Sequence, residues 1–182
     1  MKNINTRIGG LFVVLAVLSL SFSVQAQSKK KIAELKEDSK AAKAEFLEAD
    51  WRMEDRFKEA HGYVIFPNVG KGGLGVGGAA GNGIVYQGGQ EVGAAKLTQL
   101  SIGFQAGGQA YREIIFFQDK TAMDRFMGNN FEFSAQVSAV AVTAGASADA
   151  DYKGGVMVFT MQKGGLMYEA SVGGQKFKYD SF

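Results

Sequence analysis

The chain has 182 residues, no cysteine, one histidine, one proline and twenty-five glycines, with twenty basic against eighteen acidic side chains. That inventory excludes disulfides, zinc sets built on cysteine and histidine, and Cys/His catalysis. Lys2 and Arg7, the apolar run 8–22 and the small-residue site Val24-Gln25-Ala26 have the three parts of a secretory signal, so residues 1–26 are expected to be removed. That removal takes two basic and no acidic residues and leaves a neutral mature chain, which disfavours nucleic acid as a partner.

Residues 27–59 carry lysine, glutamate and alanine without glycine or proline, a helical composition. At helical spacing Ile32, Leu35, Ala42, Phe46, Ala49, Met53, Phe57 and Ala60 form one apolar stripe that Ser39 interrupts. An unbroken helix here would be about 48 Å long, longer than the body it serves, so a break near Ser39 or an overhanging first segment is expected. Leu47 and Trp51 lie on a flank of the stripe and read as a second packing contact. Lys29, Lys30 and Lys31 are followed at once by Glu34, Glu37 and Asp38, the pattern of a solvated helix start.

A run of twelve glycines between Gly62 and Gly93 rules out helix there. Tyr63–Phe66 is a strand that Pro67 should end. Gly73, Gly75 and Gly78 match a dinucleotide fingerprint, but no helix opens after them, and Gly70-Lys71 lacks the remainder of a phosphate loop. The glycines therefore read as devices that let short strands bend and approach closely. Lys96 to Ala106 alternates as a half-buried strand, with Leu100, Ile102, Phe104 and Ala106 on one side. Gln109–Gln118 is a strand whose centre, Ile114–Phe117, is apolar on both faces and needs cover on both. A short helix is expected at 119–127, with Thr121 and Asp124 in capping-box spacing. Residues 131–142 alternate again, and the last three apolar runs, separated by Lys163-Gly164-Gly165 and Gly173-Gly174, predict an antiparallel meander. Asp149, Asp151 and Gly154 copy part of a calcium loop, with Lys153 and Thr160 where oxygen ligands belong. His61, following a helix, reads as its C-terminal partner.

The residues make an α+β protein: an N-terminal amphipathic helix on a glycine-rich, mainly antiparallel sheet of six to eight strands or a small barrel, with one short inserted helix. They make no catalytic constellation, and no cofactor or metal is expected. The stretch Ala60–Pro67 with Lys71-Gly72-Gly73 and the glycines that follow, then Ser101–Gln109, then Lys163–Leu166 with Gly173-Gly174, resembles in order the SYLF domain, also called the Ysc84 domain. Resemblance to that family implies a lipid-binding module over residues 60–182, with Gly62, Pro67, Gly73, Gly75, Gly77, Gly103, Gln105, Gly107 and Gly165 as structural motif positions. Some eukaryotic members are associated with actin. The tryptophan-proline segment common in them is replaced here by Gln90–Thr98, and no accompanying SH3 or FYVE module is present, so cytoskeletal work is not transferred. The resemblance is to an exported bacterial branch that would meet phospholipid in the periplasm or at an envelope surface. Lys71, Lys96, Arg112 and Lys163, near glycine turns or strand ends, are the candidate phosphate contacts. An envelope module without lipid binding and an outer-membrane barrel are the alternatives; the latter needs at least eight strands of 9–11 residues.

Overall fold

A computed structural model describes residues 28–182 apart from 75, 103–107, 130, 135–136, 149 and 164–171. The chain divides between Glu34 and Leu35, and Leu35–Phe182 is a compact unit of its own. Ahead of that division, residues 28–34 are helical and carry the exposed pair Lys30–Glu34 at 3.8 Å.

Helix α1 occupies 28–49 and runs unbroken through Ser39. The break expected at Ser39 lies instead at 50–52, before α2 (Met53–Glu59). Ser39 is buried and small enough to sit within the packed side of the helix. At the true corner Asp50 is buried, and its carboxylate accepts hydrogen bonds from the Arg52 amide at 3.1 Å and from the Ser147 amide and hydroxyl at 2.8 and 2.7 Å. Burial alone would raise its pKa. The hydrogen bonds from Ser147, Arg52 and Gly145 outweigh that and hold it below the usual carboxylate value. The same corner turns Trp51 outward, 71% exposed with the Arg52 guanidinium 5.6 Å from its ring, whereas Leu47 stays half-buried against the core. The packing contact expected of Trp51 is therefore not made.

Leu35–Phe182 is built on an eight-stranded sheet: β1 (Gly62–Leu74), β2 (Val76–Gln87), β3 (Gln90–Ile102), β4 (Gly108–Phe117), β5 (Phe131–Glu132), β6 (Val140–Ala141), β7 (Val156–Gln162) and β8 (Lys176–Ser181). Their order across the sheet is β5-β8-β3-β2-β1-β4-β7-β6, antiparallel except for β6 against β7. Gly88 and Gly89, both at positive φ, make the two-residue turn between β2 and β3. Pro67 does not end β1. The register slips there against both neighbours, between Ile65 and Asn68 on one side and Phe66 and Val69 on the other. A residue with no N–H is tolerated at such a bulge, and the extra residue moves the inward side chains from Val64 and Phe66 to Val69 and Lys71.

The sheet is covered on both faces, as the apolar centre of β4 requires. Ile65, Ile84, Ile114, Phe116 and Phe159 pack with Ala42, Phe46 and Met53 of the helices. On the other, concave face Val64, Phe66, Leu97, Ile115, Phe117 and Phe177 pack with Ala122, Met123 and Phe126 of α3 (Lys120–Met127) and with Phe133. The cap of α3 is Asp119, which accepts from the Ala122 amide at 2.8 Å, rather than the Thr121–Asp124 pair. His61 starts the β1 ladder through the Phe117 carbonyl, and its ring meets Gln87 at 3.1 Å, while Ala60 closes α2.

Two strand expectations fail. The 131–142 alternation yields only β5 and β6, at opposite edges of the sheet, with 133–139 crossing between them and burying Phe133 and Ala139. The closing runs form no meander, because β7 pairs with β4 and β8 with β3; 166–171 of the middle run, with Gly165, lies outside the described residues. Burial explains the division: β7 is apolar on both sides and sits inside the sheet, while β8 turns only one side inward.

Close backbone approach is the reason for glycine at Gly93, where a Cβ would stand 2.6 Å from the Asp180 carbonyl oxygen, and at Gly83, 2.5 Å from that of Ile65. Gly70 has open space around it. Gly93→Ala and Gly83→Ala are expected to lower stability by about 1–3 kcal/mol and Gly70→Ala to leave it within about 0.5 kcal/mol, as read from urea midpoints at constant m. Asp50→Ala, which strands the Ser147 amide and hydroxyl, should cost about 2–3 kcal/mol. Because the folded pKa of Asp50 is depressed, this contribution is complete above about pH 4 and disappears as pH falls through the folded value; parallel denaturation of both proteins from pH 7 downward measures it.

Candidate functional site

The part of the sheet beyond the helices has a bare outer face. Asn68 and Gly70 of β1, Ala80 and Asn82 of β2, Lys96, Thr98 and Leu100 of β3, and Lys176 and Lys178 of β8 are all exposed on it. Strand pairing places Lys96 directly opposite Lys178, a like-charge arrangement that works against the fold. Among the described residues neither has an ion-pair partner, while Lys176 reaches Glu132 at 3.6 Å. Asp180 is one step along β8, opposite Ala94. Leu100, 87% exposed, lies on the same face as Lys96. The alternation of β3 thus runs opposite to the expected one: Ala95, Leu97 and Gln99 point inward. The result is a small-residue face with two opposed cations and a bare leucine.

The four predicted phosphate contacts do not gather into one rim. Lys96 joins Lys178, which was not singled out. Lys71 lies on the concave side of β1 opposite Gln109, and the Lys163 amide bonds to the Ala110 carbonyl at 2.9 Å, so these two flank the start of β4. Arg112 is on the outer side of β4, bound to Glu45 of α1 at 2.6 Å. Of the motif positions, Gly62 is packed against Met123 and the Tyr86 carbonyl, and Gly73 and Gly77 are a pair in the β1–β2 ladder. Gly75, Gly103, Gln105 and Gly107 lie outside the described residues.

Inside the concavity is a polar cluster that the sequence reading missed. Glu113 is fully buried on β4, opposite Thr160 of β7, and Tyr111, two residues earlier, is opposite Gln162. Gln175 bridges two of these, its Nε2 donating to Glu113 Oε2 at 2.9 Å and to the Tyr111 hydroxyl at 3.3 Å. Burial pushes the Glu113 carboxyl up to about 8, despite the Gln175 bond. The Tyr111 hydroxyl is also pushed up, first by burial and then by the Glu113 charge. The available signal was parity: Glu113 shares its side of β4 with Tyr111, Ile115 and Phe117. The described residues contain no group of three or more histidine, aspartate or glutamate side chains able to hold a metal; Asp149 of the calcium-loop fragment lies outside the described residues.

Residues 98–181 match the Ysc84 family, described as Las17-binding protein actin regulator. The match is to the Ysc84 (SYLF) domain over rather less than half of the chain. The matched span runs from the middle of β3 through β8 and contains Arg112, Lys163, Glu113, Gln175 and Lys178, whereas Lys71 and Lys96 precede it. A 74-residue stretch is 32% identical to beta cell expansion factor A of Aeromonas veronii, covering 41% of this chain and 28% of that protein. The chain thus matches little more than a quarter of that relative's length. Among the described residues no helix is long and apolar enough to cross a membrane.

Glu113 makes stability depend on pH in a defined direction. Its folded pKa is above its unfolded value, so the stabilisation of the protonated carboxyl is complete below about pH 4 and is lost as pH rises through about 8. At low ionic strength the protein is expected to lose on the order of 4 kcal/mol between pH 5 and 9 from this group. Glu113→Gln, which stays neutral, should flatten that decline, as measured by denaturation across the range.

Proposed function

We propose that this is an exported, non-enzymatic phospholipid-binding protein of the bacterial envelope, and that the outer face of β1, β2, β3 and β8 is what meets the headgroups. The observation that carries the reading is Lys96 opposite Lys178 beside the exposed Leu100. Two lysines whose Cβ atoms stand about 5 Å apart across a strand pair repel one another, and an anionic phosphate placed between their ammonium groups relieves that repulsion. Leu100 adds apolar surface that gains by entering the acyl boundary. Export rests on the signal-like segment 1–26, and periplasm or envelope surface is the proposed location. The Ysc84 domain supports a binding role related to lipid or actin. The charge and shape of the bare face favour lipid. Lys71 on β1 and Lys163 just past β7 flank the start of β4 without meeting, and Arg112 is engaged by Glu45. An outer-membrane barrel is disfavoured because β5 and β6 have two residues each and one sheet face is packed against helices.

Flotation of the purified protein with vesicles is the test. Association with anionic phosphatidylglycerol vesicles is expected, weakening with salt. At about 1 kcal/mol per lysine near an anionic surface, the double variant Lys96→Ala, Lys178→Ala should bind roughly 30-fold more weakly, and Leu100→Ser should weaken it further without altering the melting temperature. Absence of the protein from both anionic and zwitterionic vesicle fractions sinks the proposal.

A further inference from the structure

The concave polar cluster has a one-sided hydrogen-bond inventory. Glu113 Oε1, Thr160 Oγ1, Gln162 Oε1 and Gln175 Oε1 are each buried without a hydrogen-bond partner. Three of these are pure acceptors and the fourth is a hydroxyl that accepts as readily as it donates. Of the donors nearby, Gln175 Nε2 is committed to Glu113 and Tyr111 and Gln99 Nε2 to the Gly173 carbonyl at 2.9 Å, and neither the Tyr111 nor the Thr160 hydroxyl donates to any of the three acceptor oxygens. Buried acceptors left alone are costly, and a single proton on Glu113 would satisfy one of them. The four oxygens are also brought together by independent elements. Thr160 and Gln162 are the register partners of Glu113 and Tyr111 on the same face, and Gln175 arrives from before β8. The neighbouring strand β1 presents Phe66 and Val69 to Glu113 and Tyr111, and Lys71, opposite Gln109, reaches none of these oxygens.

We propose that Glu113, Thr160, Gln162 and Gln175 bind one small alkali-metal cation inside the curled sheet. A hard cation takes oxygen ligands of this kind, a carboxylate with amide carbonyls and a hydroxyl. The charge selects the class. One carboxylate and three neutral oxygens neutralise a monovalent ion completely, whereas a divalent ion would leave a net positive charge in an apolar enclosure, which is strongly unfavourable. Ion and proton compete for the same carboxylate, so occupancy grows with pH. The bound ion holds β4, β7 and the segment before β8 together, independently of any lipid on the outer face.

Thermal unfolding of the purified protein at pH 9, in sodium, potassium or tetramethylammonium chloride of equal ionic strength, tests this. Tetramethylammonium is too large to enter the cluster. Sodium or potassium at about 100 mM is expected to raise the melting temperature by roughly 5 °C over tetramethylammonium, and the difference should shrink at pH 6, where the carboxyl is protonated. Glu113→Gln should abolish the difference. Thr160→Val, which keeps the side-chain shape and removes one ligand, should raise the half-effective alkali concentration about tenfold, and it serves if Glu113→Gln does not fold. Equal melting temperatures in the three salts, or an alkali effect that survives unchanged in a folded Glu113→Gln or Thr160→Val protein, overturns the proposal.

Discussion

The connection from β5 to β6 constrains everything else in the sheet. These two short strands occupy opposite edges, yet only residues 133–139 join them. Fully extended, the eight steps from Glu132 to Val140 reach about 28 Å at most, while seven flat inter-strand spacings come to about 34 Å. A flat sheet could not be closed by this connection. Curling brings the edges within reach, and the crossing segment then lies on the concave face, where Phe133 meets Phe131 and Phe177 at ring-centroid distances of 5.5 and 5.0 Å. Pro67 and its bulge contribute to the same end, since an extra residue bends and twists its strand.

Curling gives the two faces different chemistry. The concave side is dry and aromatic around α3, and within it Glu113, Tyr111, Thr160 and Gln175 form an island of polar groups whose energies are magnified by burial. On the convex side, helices cover the end carrying Ile65, Ile84 and Phe116, and the other end remains open, with glycine, alanine and asparagine around the opposed lysines. One end is thus consumed in stability and the other is free for contact. The helical corner at Asp50 belongs to the first end, because Ser147 and the Arg56 side chain, which donates to the Ser147 carbonyl at 2.8 Å, tie α2 to the loop ahead of β7.

Local signals were legible where local physics decided the outcome. Helical composition before residue 60, the doubly apolar centre of β4 and the short α3 all follow from composition and period, and the glycine-rich stretch forms β1, β2 and the start of β3, where backbone crowding at Gly83 and Gly93 demands glycine. What could not be read was set by distant partners. The side of β3 that turns inward depends on Phe177 pairing opposite Leu97, so the alternation at Leu100 pointed the wrong way. Nothing near Pro67 reveals that both neighbouring strands slip register together. The 131–142 alternation is real, but its inward residues serve a crossing rather than a ladder. Parity puts Glu113 on an apolar side of β4, but nothing local names Gln175, far along the chain, as the group that meets it there, and Lys178 acquires meaning only once β8 is known to lie against β3.

The position of β8 bears on the order in which the sheet can form. β1, β2 and β3 follow one another through tight connections and can pair as soon as they exist, but the far side of β3 waits for a strand that comes after every other in the sequence, with Gly93 meeting Ser181. Pairing over such a sequence distance is slow because loop closure precedes any reward. Until it happens, β3 is an unprotected edge with a bare leucine, the kind of template on which strands from other chains add. A nascent chain therefore passes through a stage in which self-association competes with completion. The positive charge of Lys96 on that strand acts as a gatekeeper during this interval, before β8 brings Lys178 opposite it.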